Sequence, residues 1–374
     1  MLFLPPLECT DEPWARFIPN RTKLVKFAIG HVIYFLNVSS GTQVLMRAMD
    51  SRTLKCSSIS MRVEGEAFHF CDFLFINEAF AHDGKVYIWN FMHHRLYECS
   101  MEADGCFLWR NVPVTGEHGA NTGVPFQYQD ATTSYFCYVS MYFDNVLSMH
   151  WLDLTSKHRT EIDVTVTEGV REMFKDDHSH LSAMKVFLDG ETAYFLSGRD
   201  WNLVLNLTTL EFDAFETSYD EEIGSCWGNR FIFTDNRQAL LLETCINAKF
   251  KSIVFRFDPE DLKWKKVTTV TDPCRLKVPQ EAMTIGSRVI FFRRRAMKNG
   301  VSRFFAMPME LNPTLAEHAL AAVWRDPRCR KLARDTLSKA AIAELRLTAD
   351  KEEEEELDKY FESIAKRARN CCIM

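Results

Sequence analysis

Four groups of side chains in this sequence have the types and spacing to do chemistry. Cys371-Cys372-Ile373-Met374 reads as a C-a-a-X box, in which the Cys371 thiol would carry a prenyl group and the methionine favours farnesyl. One prenyl chain holds a membrane only marginally, so the basic run Lys366-Arg367-Ala368-Arg369 would have to supply the second signal. Glu352 to Glu356, just before it, would oppose an anionic surface. Asp176-Asp177-His178-Ser179-His180 sets carboxylates beside imidazoles, a donor set suited to zinc or manganese. A polar loop entering the strand-like Leu181-Ser182-Ala183-Met184-Lys185-Val186 accounts for the same residues, so no metal is expected. Arg293-Arg294-Arg295 with Lys298 reads as a charged inter-strand loop, able to meet an acidic partner or a terminal carboxylate. Leu315, Ala319 and Val323 stand at i, i+4 and i+8, one face of a helix. The small middle residue lets a partner helix approach, and burying the leucine would contribute roughly 1.5–3 kcal/mol. That stripe suits packing on the chain's own neighbouring elements as well as on another protein.

The elements that must position these groups are repeats. Ala81-His82-Asp83-Gly84-Lys85-Val86-Tyr87-Ile88-Trp89-Asn90 is a tight turn feeding a strand able to be buried on both faces. The same shape returns at Gly30 to Asn37, Gly190 to Gly198, Gly228 to Phe233 and Gly286 to Phe292, and without the glycine at Ser134 to Ser140. Successive glycines lie 54, 106, 38 and 58 positions apart, so the unit is about 50 residues, one interval spanning two units. Each unit adds a second strand ending near Asp or Asn, a tight turn and an outer strand carrying an aromatic. Ile253 to Asp258, followed by Lys263 to Val267, is the cleanest case. The expected fold is all-β: a propeller of six four-stranded blades over 14–312, whose radial packing hides most sheet edges.

Composition narrows the function. The net charge of −6 argues against nucleic-acid binding, which wants clustered Lys and Arg. The 12 cysteines include no CxxC and no tight framework, so they read as free thiols in a reducing, cytoplasmic setting. Met1-Leu2-Phe3-Leu4 is followed at once by two prolines and acids, which is not a signal peptide. No run approaches the ~18 apolar residues needed to cross a bilayer.

After residue 312 the period becomes helical. Asn312-Pro313 is an N-cap with proline at the first helical position, and Thr314 with Glu317 forms a capping box one register on. A second helix is expected from about Arg328 to Leu347, with Leu332, Thr336, Leu337, Ala340, Ala341, Glu344 and Leu345 along a stripe. A third would begin at the glutamate run, its acids at the start and bases at the end suiting the helix dipole. The organisation is thus 14–312 propeller, 313–347 helices, and 348–374 a charged helix and tail.

These residues carry a resemblance. His82 to Trp89 resembles the turn–strand core of a kelch blade, Asp258-Pro259 to Trp264 looks like the D-P-x-x-x-x-W outer turn, and Val112 to Gly116 is similar to the loop leading into the next blade. Asn90 and Arg293-Arg294 replace the paired glycine usual after the strand. Thr314-Leu315-x-x-x-Ala319-x-x-x-Val323 resembles a BC box, the element that binds elongin C in kelch substrate receptors of cullin-RING ubiquitin ligases. The family most often has Cys where Ala319 stands. Leu337 to Leu345 is similar to the cullin-facing helix but has Leu337-Ser338 where that helix starts Leu-Pro, which leaves the cullin open. The resemblance implies a substrate-recognition adaptor whose propeller holds a protein target and whose Thr314, Leu315, Ala319 and Val323 meet elongin C. The alternative is a kelch scaffold tethered to a membrane through Cys371. Among kelch folds, galactose oxidase needs a Tyr, His and Cys constellation for its radical chemistry; no matching motif is visible, so neither an enzyme nor a cofactor is expected.

Overall fold

The computed structural model describes residues 2–3, 7–8, 25–38, 44–64, 79–90, 95–116, 123–130, 133–141, 147–174, 181, 184–197, 201–219, 229–234, 238–244, 251–271, 281–296, 302–313, 319–323, 329, 332–333 and 336–338. Their strands form six separate sheets. Blade 1 runs Val25–Ile29, Val32–Val38, Val44–Asp50, Cys56–Ile59 from its first strand to its last. Blades 2 to 5 repeat that antiparallel order, and each adds a short fifth strand, parallel to its outer one, donated by the chain as it leaves the preceding blade. Thr115–Gly116 is one such strand and pairs with His158–Ile162 of blade 3. The fold is a six-bladed β-propeller.

Hydrophobic clusters explain why the second strand of each blade is an almost unbroken apolar run. Six clusters exist among the described residues, and each lies between two adjacent blades rather than inside one. In Val32–Val38 the side chains alternate between two of them. Ile33 and Phe35 face blade 6, while Tyr34 and Leu36 face blade 2. Val86 and Ile88 face blade 1, while Tyr87 and Trp89 face blade 3. A strand buried on both faces has no polar side to present, so period-two alternation disappears.

Two kinds of turn set the register. Between first and second strands, Asp83 and Gly84 both have positive φ (48° and 71°), the type I′ pattern that matches strand twist. Between third and outer strands, an Asp or Asn accepts from the backbone N–H groups two and three residues on. Asp50 Oδ1 takes Arg52 and Thr53 at 2.8 Å each, Asp153 takes Thr155 at 2.7 Å and Ser156 at 3.2 Å, and Asn206 takes Thr208 and Thr209 at 2.9 Å each. The fifth residue then turns left-handed, as Leu54, Lys157, Leu210 and Leu262 all do. Side-chain capping outweighs the strain of a non-glycine residue there, which is of order 1–2 kcal/mol.

Blade 6 is completed from the other end of the chain. Among the described residues it has three consecutive strands, Glu281–Ile285, Arg288–Ala296 and Ser302–Glu310. Leu2–Phe3 and Leu7–Glu8 pair antiparallel with the last of these, Leu2 opposite Glu310 and Leu7 opposite Ala306. The first two strands therefore belong to the propeller although they precede residue 14. The arginine run also needs correction. Arg293, Arg294 and Arg295 are not in a loop but within Arg288–Ala296, opposite Phe305, Phe304 and Arg303. The hairpin simply continues past its apolar part, since edge-to-edge pairing does not require apolar side chains.

Candidate protein-interaction surface

The chain leaves blade 6 held by definite contacts. Leu311 is buried and its N–H donates to the Ser287 carbonyl at 2.8 Å. Asn312 is then exposed, and 319–323 are helical. Within that segment the side chains divide: Ala321 is 2% exposed, Ala319 and Ala322 are exposed, and Leu320 and Val323 are half-buried. At 100° per residue Ala319 and Ala321 point to opposite sides, so the side carrying Ala321 is covered while Ala319 faces solvent, with Val323 on its side half-buried. Of the four residues assigned to elongin C, Ala319 and Val323 are thus on a described helix, and Thr314 and Leu315 lie outside the described residues.

The following helix does not run unbroken to Leu347 as expected. Residues 329, 332–333 and 336 are helical, but Leu337 is a bend and Ser338 irregular. Thr336 Oγ1 donates to the Leu332 carbonyl at 2.7 Å, a back-bond of the kind that loosens a helix end. Leu332 is 64% exposed and Leu337 39% exposed, so this short stretch offers apolar side chains to solvent. Cys371, Lys298 and the Asp176 to His180 cluster lie outside the described residues. No helix among the described residues is long and apolar enough to cross a membrane.

Two buried polar groups were not foreseen from the sequence. Six residues after the capping Asn206 and Asp258 stand Phe212 and Trp264, both wholly buried. The equivalent residue after Asp153 is Arg159, and it is buried too. Its Nη2 donates to His150 Nδ1 at 3.0 Å, and His150 Nε2 meets Ser148 Oγ at 3.0 Å. A guanidinium cannot accept, so Nδ1 is the acceptor and Nε2–H must donate to the serine. That is the reverse of the polarity a serine nucleophile requires. The group replaces an aromatic with a hydrogen-bonded ladder. Spacing from Asp153 was the signal that could have found it.

The second group is Glu243, 1% exposed on Ala239–Thr244 and opposite Arg230. Arg230 Nε is 3.7 Å from Glu243 Oε1, and among the described residues neither carboxylate oxygen accepts a hydrogen bond. Arg230 instead lies over the Tyr219 ring, 5.0 Å from its centre. Burial raises the Glu243 carboxyl above its ordinary value, with Arg230 working against that rise. Glu98 behaves oppositely. Burial would raise it, but the Lys85 ammonium at 2.8 Å and the Tyr87 hydroxyl hold it below the ordinary carboxylate range.

No family model matches the sequence, and no curated protein matches it. Solved structures do match. A Bacteroides fragilis protein provisionally named a 6-phosphogluconolactonase is 13% identical, with a TM-score of 0.36, over 79% of this chain and 85% of that one. A Bacteroides uniformis protein with the same provisional name is 11% identical, TM-score 0.37, over 76% and 83%. YjhT is 8% identical, TM-score 0.42, over 76% and 93%. Identities this low say nothing of this chain's chemistry. The expectation of a non-enzyme is withdrawn, because the missing oxidase constellation excludes that one chemistry and no other.

Proposed function

We propose that this chain is the substrate-recognition adaptor of a cullin-RING ubiquitin ligase, its kelch-like propeller holding a protein target and the helix from Thr314 holding elongin C. The propeller fold is compatible with a protein-interaction role. The observation that carries the finer reading is the division of side chains over 319–323, with Ala321 buried and Ala319 open to solvent directly after the last blade strand. An adaptor helix needs both properties, since one side must anchor it and the other must be free. Supporting the kelch resemblance, Asp258 Oδ1 accepts from Glu260 N–H at 3.0 Å and Trp264 is fully buried six residues on. Exposed Leu332 and Leu337 are the apolar side chains a cullin would cover. A reducing cytoplasmic setting suits Cys99, Cys106 and Cys137, which are buried free thiols. The test is co-purification of elongin C with tagged wild type and with Leu315→Asp. The reading expects elongin C with the first and not the second; its absence from the wild-type eluate overturns it.

A further inference from the structure

Charge is not spread evenly along the chain. Residues 161–219 hold twelve Asp and Glu against four Lys and Arg, a net of −8, where the whole chain carries −6. This sector comprises the end of blade 3, the helix Glu168–Phe174 and blade 4. Inside it one large aromatic is left half in solvent: Trp201, at 48% exposure.

Trp201 is held firmly from behind. Its carbonyl accepts from Ser197 Oγ at 2.7 Å. The next residue, Asn202, is fully buried, accepts from Ser197 N–H at 2.9 Å and donates from Nδ2 to Thr217 Oγ1 at 3.2 Å. An indole on so fixed a backbone loses little freedom when something lands on it. Directly across the ladder from Trp201 is Glu216, exposed and without an ion pair among the described residues. Facing positions of this kind bring Cβ atoms within about 4.5–5.5 Å. The helix Glu168–Phe174 rests on the same outer strand. A Cβ on Gly169 would lie 3.6 Å from that of Ala214, two residues before Glu216. The exposed Glu168 and Glu172 are thereby brought to the strand that carries Glu216, Glu168 being paired with Arg171 of its own helix at 3.2 Å.

We propose that this rim of blade 4 binds a basic segment of a protein partner, an Arg or Lys head lying over the Trp201 indole and bonding to Glu216. The ring face attracts a cation, and the surrounding carboxylates raise the local concentration of basic chains while repelling phosphate. The proposal rests on the interaction role of the propeller and not on the elongin C contact, which is tested at other residues; the two fail separately.

The test is fluorescence anisotropy of a labelled Arg-Gly-Ser repeat nonapeptide, with a Glu-Gly-Ser counterpart, titrated with the full chain. Wild type binds the basic peptide and not the acidic one. Trp201→Ala and Glu216→Lys each weaken binding by about tenfold or more. Glu102→Lys, the same charge change on an exposed turn of blade 2, leaves it within about twofold. Melting curves matched to wild type confirm that each variant is folded, and Glu216→Lys alone suffices should Trp201→Ala melt early. The site is overturned if the basic peptide does not bind at millimolar concentration. It is equally overturned if Trp201→Ala binds like wild type, or if Glu102→Lys weakens binding as much as Glu216→Lys.

Discussion

Arg288 of blade 6 donates from Nη1 to the carbonyl of Ser51 in blade 1, 2.9 Å away and 237 positions distant in the chain. Its Nε holds Glu310 Oε2 at 3.0 Å, so one side chain ties the last strand to the first blade's turn. Phe35 and Phe292 meet edge to face beside it at 5.2 Å. The six inter-blade clusters are alike in kind, but this seam is where the two ends of the chain meet, blade 6 being built from both.

Arg288→Met should therefore destabilise more than an average surface change. Arg288 and Glu310 are 16% and 6% exposed, and removing the cation leaves Glu310 buried without its counter-charge. The expected loss is about 3 kcal/mol, read as a lower urea midpoint. A double change, Arg288→Met with Glu310→Met, should recover part of it. Equal loss in both would show that the charge pair is not the source.

Removing residues 1–8 should expose the backbone of Ser302–Glu310 as an open edge. Open edges template pairing with other chains. The truncated protein is expected to melt earlier and to elute as oligomers in size-exclusion chromatography. An unchanged melting point would mean the two short N-terminal strands contribute nothing to closure.

Glu243 makes a pH prediction with a definite sign. Its folded-state carboxyl is raised above the ordinary 4.5 by burial. Between 4.5 and that raised value the folded state holds more protons than the unfolded one, so the group's contribution falls as pH rises. Glu243→Gln should thus stabilise relative to wild type at pH values above the window, and the difference should shrink below it. Chemical denaturation across that range is the measurement; a gain that grows toward acid would contradict the sign.

Much of the ring was legible because its turns are encoded locally. Asp83-Gly84 and the capping Asp50, Asp153, Asn206 and Asp258 act on their own neighbours, so spacing alone reveals them. What escaped was non-local or too short to have a period. Leu2–Phe3 becomes a strand only because Met309 and Glu310 await a partner some 300 residues away. Glu168–Phe174 spans two turns with a glycine inside, and its signal is packing on Ala214 rather than propensity. Arg293 to Arg295 misled in the opposite direction, since charge reads as loop while backbone pairing with 303–305 makes strand. After blade 6, the stripe of Leu315, Ala319 and Val323 was visible in the spacing. Which side is covered depends on Ala321, which spacing does not reveal.

The central claim is that the outward side of the helix after blade 6 grips elongin C. Isothermal titration of purified elongin C into wild type and into Ala319→Arg tests it most directly. Ala319 is exposed, so the arginine should leave the melting curve unchanged while its bulk keeps a partner helix from closing. The account predicts saturable binding to wild type and none to the folded variant. No heat with wild type, or equal heat with both, would contradict it.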